Sequence, residues 1–147
     1  MVRDACIVSV TTALWYMPEG TGAFELLLGL MTGLSALLFH EWGHLLGAAL
    51  GSARVKPTAL WSPFIFDLDS RSNGRRQFLS VSLWGFAATA VYLLLFFSLL
   101  PQDRLAGQVA QWSGLFLATL TVLIEFPIAF HVYRGGAIPP VEIFKRR

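Results

Sequence analysis

The chain has 147 residues, 55% of them hydrophobic and 14% charged, with a mean hydropathy of +0.61. That is too apolar for an ordinary soluble domain of this size and puts the membrane class first. Eleven basic against nine acidic residues leave a net charge of +2, too small a surplus to argue for nucleic acid, and the lone Cys6 excludes an intramolecular disulfide or a multi-cysteine metal site.

The first element is the apolar stretch ACIVSVTTALWYM, residues 5–17. Arg3 ahead of it imitates the basic start of a signal peptide, but Asp4 spoils that start and no clear A-x-A site precedes Phe24. The stretch therefore reads as a retained, short membrane helix. A helix needs roughly 20 mainly apolar residues to cross the hydrocarbon core. Residues 24–51, 78–100 and 107–133 each supply that many, so the sequence predicts an all-α integral membrane protein, a single membrane domain over 1–147 with about four transmembrane helices.

The connections PEGTGA and PQDRLA are short, whereas 52–77 is longer and carries Arg54, Lys56, Arg71, Arg75 and Arg76. Arg134, Lys145, Arg146 and Arg147 follow the last span. Loops rich in Lys and Arg stay cytoplasmic, which places the 52–77 loop and both termini inside a cytoplasmic (inner) membrane. Within that loop Phe64, Phe66 and Leu68 alternate with Ile65, Asp67 and Asp69 ahead of a Ser-Asn-Gly turn, the pattern of a short strand or hairpin. Pro63 suits an edge position. No internal repeat or low-complexity tract divides the chain.

The second span contains LLFHEWGHLLGAALG, residues 37–51. Ionisable side chains at membrane depth are costly and mark function by default. His40 and His44 are four residues apart, which stacks them on one helical face a turn apart, as two metal-bound imidazoles require. Glu41 sits about 100° around the helix, within reach of a metal-bound water without taking a coordination position. This is the H-E-x-x-H pattern, in which the metal polarises a water, the glutamate takes its proton, and the hydroxide attacks a carbonyl. Gly43, Gly47 and Gly51 recur every four residues on the same helix, as Gly29 and Gly33 do earlier, giving small-residue faces for close helix packing.

A third metal ligand has to come from elsewhere, and the last span holds the two candidates, Glu125 and His131. The motif lies about 16–20 residues into its helix, roughly 25–30 Å at 1.5 Å per residue. The same distance along the last span falls near 123–127, which favours Glu125 and leaves His131 open. Glu125 also suits a protonated acid hydrogen-bonded across helices, and His131, beside Tyr133 and Arg134, suits an interfacial residue. Pro127 removes a backbone hydrogen bond between them and predicts a bent or opened helix.

An H-E-x-G-H motif toward the inner end of a membrane helix, followed by small residues, a basic strand-bearing loop and two further spans, resembles the site-2 protease family of intramembrane zinc metalloproteases. The resemblance covers about residues 24–136. It implies His40 and His44 as ligands of a Zn2+ ion, Glu41 as the base, and an aspartate from a later helix as third ligand. The family's G-P-x-x-N signature falls on GFAAT, where Gly85 is kept while Phe86 and Thr89 replace the proline and asparagine. Its proline-rich run ending in Leu-Asp-Gly falls on EFPIAFHVYRGG, which keeps Pro127 and Gly135–Gly136 but has no aspartate.

Two functions follow as expectations. The first is a zinc peptidase embedded in the lipid bilayer, cutting a membrane-protein substrate near the cytoplasmic side. The second is a catalytically inactive, protease-like small subunit or assembly factor of a larger membrane complex, whose subunits are then its partners. A di-iron lipid desaturase needs far more than three histidines and is excluded.

Overall fold

A computed structural model describes residues 2–58 and 65–139. Its elements are α1 (Val2–Leu14), α2 (Gly22–Leu50), β1 (Val55–Pro57), β2 (Phe66–Leu68), α3 (Arg75–Leu99) and α4 (Leu105–Tyr133). The last three helices, of 29, 25 and 29 residues, are long and apolar enough to cross a membrane. The four-span expectation is supported at α2, α3 and α4, while α1 falls outside this long apolar set. Its 13 residues reach only about 20 Å at 1.5 Å per residue, against a hydrocarbon core of about 30 Å. The helix closes in a turn at Trp15–Met17 before Pro18 can extend it.

The chain forms two compact units, Met1–Phe39 with Thr89–Leu120, and His40–Ala88 with Thr121–Arg147. In the first, the buried core is Ala36, Tyr92 and Ala118, with Leu93 and Phe96 packed against it. The Gly29–Gly33 face meets α4: a Cβ at Gly29 would lie 2.6 Å from that of Val109, and one at Gly33 would run into the Ser113 hydroxyl. Small residues are what let the two backbones come this close. Glu25, buried at the start of α2, accepts from the Arg104 guanidinium at 2.6 Å and from the Ala106 amide at 3.3 Å, tying the first turns of α2 and α4 together. The Trp15 ring stacks under Arg104 at 5.1 Å, and its indole N–H donates to Thr32 at 2.9 Å. A cation held by a carboxylate on one side and an aromatic face on the other is well placed where water is scarce.

The second unit has Ala48, Leu68 and Val81 as its core, with Ala53, Phe66 and Phe78 against them. β1 and β2 pair antiparallel in the register Val55↔Leu68, Lys56↔Asp67 and Pro57↔Phe66. Phe66 and Leu68, the apolar alternation read from the sequence, do form a strand, and their side chains join the core. Phe64 and Pro63 lie outside the described residues. The partner strand, however, lies upstream, and the Ser72–Asn73–Gly74 segment is the junction into α3, not a hairpin turn. The buried Asn73 explains this. Its side-chain amide donates to the carbonyls of Arg54 at 2.6 Å and Asp69 at 2.8 Å, and its oxygen accepts from the Arg54 amide at 2.7 Å. The side chain thus replaces a strand partner. Gln77 then caps α3 by accepting from the Gly74 amide at 2.6 Å.

Candidate metal centre

The site belongs wholly to the second unit. α2 carries the motif because its Leu-, Ala- and Gly-rich run contains no proline, so the helix continues through His40, Glu41 and His44. The Gly43–Gly47–Gly51 face, read from the sequence as a packing stripe, meets α3. A Cβ on Gly43 would lie 2.5 Å from the Trp84 carbonyl, and one on Gly47 2.6 Å from that of Ser80. This approach brings the α3 backbone within hydrogen-bond reach of both imidazoles. His40 Nδ1 lies 3.1 Å from the Gly85 carbonyl and His44 Nδ1 2.9 Å from that of Val81. Residues 40 and 44 on one helix thus pair with 85 and 81 on the other, one turn against one turn.

Those two bonds fix the tautomers. A carbonyl only accepts, so each Nδ1 carries the hydrogen and donates it. In the neutral ring the lone pair is then on Nε2. Both Nε2 atoms face Glu125 of α4, at 3.0 Å from His40 to one carboxylate oxygen and 3.2 Å from His44 to the other. Lone pairs on two imidazoles and a carboxylate converging at these distances require positive charge among them, supplied by protons or by a metal ion. The two separations run to the two different oxygens of Glu125, so its carboxylate bridges the rings. One ligand atom from each of His40, His44 and Glu125 falls within 4.8 Å of the others, and the three side chains could hold a metal ion.

The centre is unequally buried. His40 is 2% exposed, while about a third of the Glu125 side chain is open, so the cluster is reachable on the α4 side. The two rings stand edge to face with centroids 4.3 Å apart. His40 lies ten residues before the end of α2 and Glu125 eight before the end of α4, about 15 and 12 Å along the respective helices. The donors therefore stand at matching depth.

Glu41 is buried beside the cluster, with His44, His40 and Glu125 as its electrostatic neighbours. Its carboxylate accepts from the Ile65 amide at 3.4 Å, the residue that leads into β2. Gly85 serves twice: its carbonyl holds His40, and a Cβ there would overlap the His44 ring. Phe86, where the family signature has proline, packs against Phe126 with centroids 6.3 Å apart. Thr89 is buried on α3 and belongs to the first unit. Pro127 is accommodated inside α4, which continues to Tyr133. Glu125, Ala129 and Val132 share the inward face of that last stretch, at spacings of four and three residues. His131, the other ligand candidate, is exposed, packs on Gly136, and is not one of the three clustered donors.

Two participants had no signature in the sequence. The Val81 carbonyl and the Ile65 amide are backbone groups, and only the pairing of α2 with α3 and the start of β2 reveal them. Comparison with protein-family models, curated proteins and solved structures gives no significant match.

Proposed function

We propose that the chain is a zinc metallopeptidase of the site-2 protease type, cleaving a membrane protein near the cytoplasmic face. The observation that carries this reading is the convergence of two tautomerically fixed imidazoles on one carboxylate, with a second, motif-borne carboxylate beside them. His40, His44 and Glu125 would hold the ion, Glu125 taking the part of the family's aspartate from a different position on the last helix. Bound there, zinc would supply Lewis acidity to a water and a peptide carbonyl. Glu41 accepts the proton of the attacking water and returns it to the leaving amine, and the Ile65 amide keeps its carboxylate turned toward the cluster. Val81 and Gly85 hold the rings against rotation while this happens.

The strand beside Glu41 suits an extended substrate. The bond from the Asp69 amide to the Arg54 carbonyl sets the alternation of the ladder, so the amides and carbonyls of Phe66 and Leu68 point away from β1. Pro57 has no N–H to offer and blunts the other edge. A peptide adding to β2 would run past Ile65 toward the base.

The basic 52–77 connection favours a cytoplasmic position for this loop, with α4 then ending on the same side. A reading in which α1 lies along the outer face without crossing puts the N-terminus outside. A non-catalytic reading draws on the same distances, since 3.0 and 3.2 Å also suit protonated imidazoles bonded to Glu125. In that case the triad staples α2 to α4 in a subunit of a larger complex. Elemental analysis separates the two: the peptidase binds about one zinc per chain, and Glu41→Gln keeps the metal while abolishing cleavage of a reporter substrate. A metal-free, folded protein whose partner assembly tolerates Glu41→Gln would establish the staple.

A further inference from the structure

Outside the metal cluster and Glu41, the described residues of the second unit carry six cations, Arg54, Lys56, Arg71, Arg75, Arg76 and Arg134, against Asp67 and Asp69. The first unit has the opposite balance, with Arg3 and Arg104 against Asp4, Glu19, Glu25 and Asp103. Three of the six cations are already engaged. Lys56 pairs with Asp69 at 3.1 Å, Arg75 lies 5.9 Å over the Tyr133 ring, and Arg134 lies 5.8 Å over that of Phe130. Phe130 and Tyr133 are exposed in the last turn of α4. Arginines lying over exposed aromatic rings at a helix end match the boundary between lipid tails and headgroups.

At this boundary a cleft of about 540 Å³ opens between the end of α2 and the start of α3, lined by Leu50, Gly51, Ser52, Arg76, Gln77 and Ser80. Arg76 has no carboxylate partner among the described residues, Ser52 and Ser80 add polar lining, the Ser80 hydroxyl donating to the Gly47 carbonyl at 2.9 Å, and the exposed Leu50 supplies an apolar wall. Ser80 is four residues beyond Arg76 on α3, about 6 Å deeper along the helix. Gly51 keeps the cleft open, because a Cβ there would stand 2.9 Å from Ser80. The Gln77 amide is committed to the Gly74 amide and the Ser52 carbonyl, so it shapes the floor.

We propose that this cleft binds the headgroup of an anionic phospholipid, with the phosphodiester on Arg76, the glycerol beside Ser52 and Ser80 and an acyl chain along Leu50. The occupant follows from the surplus of positive charge, the position at the membrane boundary, and an apolar wall that a free anion would not use. The site anchors the α2–α3 corner that also carries Val81 and Gly85, yet it shares no side chain with the metal cluster. The two readings therefore stand or fall separately.

The test uses the full chain in a neutral maltoside detergent, where no charged surface surrounds it. Native mass spectrometry titrates it with phosphatidylglycerol, with phosphatidylcholine as the zwitterionic comparison. Wild type should retain one phosphatidylglycerol. Arg76→Gln should weaken it by about tenfold, the worth of a charge-assisted phosphate contact, with Arg76→Lys in between, whereas Arg71→Gln on the preceding turn should change it by less than about twofold. Equal weakening by Arg76→Gln and Arg71→Gln, or phosphatidylcholine bound as tightly, overturns the proposal. So does displacement of the lipid by excess inorganic phosphate, which would assign the cleft to a free anion. Zinc content is read on the same samples and should be the same in all variants.

Discussion

Replacing Gly85 by alanine probes the support of the candidate metal centre without touching a proposed ligand. The new Cβ would lie 2.8 Å from His44 Nε2 and nearer still to two other ring atoms. The ring has little room to yield, because Nδ1 is held at 2.9 Å by the Val81 carbonyl and Nε2 faces Glu125 at 3.2 Å. Relief therefore requires breaking the Val81 bond or separating α2 from α3. Overpacking of this kind costs about 1–3 kcal/mol, and loss of a bond that orients a metal-bound histidine lowers metal affinity roughly 10–100-fold. Zinc affinity measured by competition with a chromophoric chelator, alongside thermal unfolding in detergent, reads both effects. Gly22→Ala, where a Cβ meets nothing within 4 Å, is the matched control and should leave both unchanged. Undiminished zinc affinity in Gly85→Ala would refute the claim that His44 is locked by the α3 backbone.

Other consequences can be checked independently. Asn73→Ala leaves the Arg54 amide and carbonyl without their side-chain partner and should destabilise the second unit by about 1–3 kcal/mol, read as a lowered melting temperature. Lys56, then Ser72, hydrogen-bond Asp69 and hold its carboxyl below the usual carboxylate range. A depressed folded value means stabilisation that is present above the unfolded carboxylate pKa and lost as pH falls through the folded one. The melting-temperature gap between wild type and Asp69→Asn should therefore be small, present at neutral pH and absent in acid; a gap that widens in acid contradicts the pairing. A single cysteine at the exposed Val2, in a Cys6→Ser background, should react with a membrane-impermeant maleimide added outside intact cells. Labelling only after lysis would restore a fourth crossing at α1.

Sequence and structure agree most where hydrophobic length and helical spacing decide the outcome. The long apolar helices follow from length alone, with ends within a few residues of expectation, because lipid-exposed backbone must satisfy its hydrogen bonds internally. The stacking of His40 and His44 follows from 3.6 residues per turn, and counting depth along two helices pointed to Glu125, which is the residue that meets both rings. The shortfalls have one origin. The role of α1 turns on about 10 Å of length that an apolar composition does not report. Val55–Pro57 has no alternation to announce a strand, and Asn73 looks like any turn asparagine until it is seen bridging Arg54 and Asp69. Val81 and Ile65 contribute backbone atoms, which the identities of their side chains do not encode.

X-ray absorption at the zinc edge of the zinc-loaded chain addresses the metal centre most directly. The proposed peptidase calls for about one zinc per chain, with two imidazole nitrogens and a carboxylate oxygen at about 2.0–2.1 Å, and a histidine signal halved in His40→Ala. Failure to take up stoichiometric zinc, or a first shell unaltered by His40→Ala and Glu125→Ala, would contradict it.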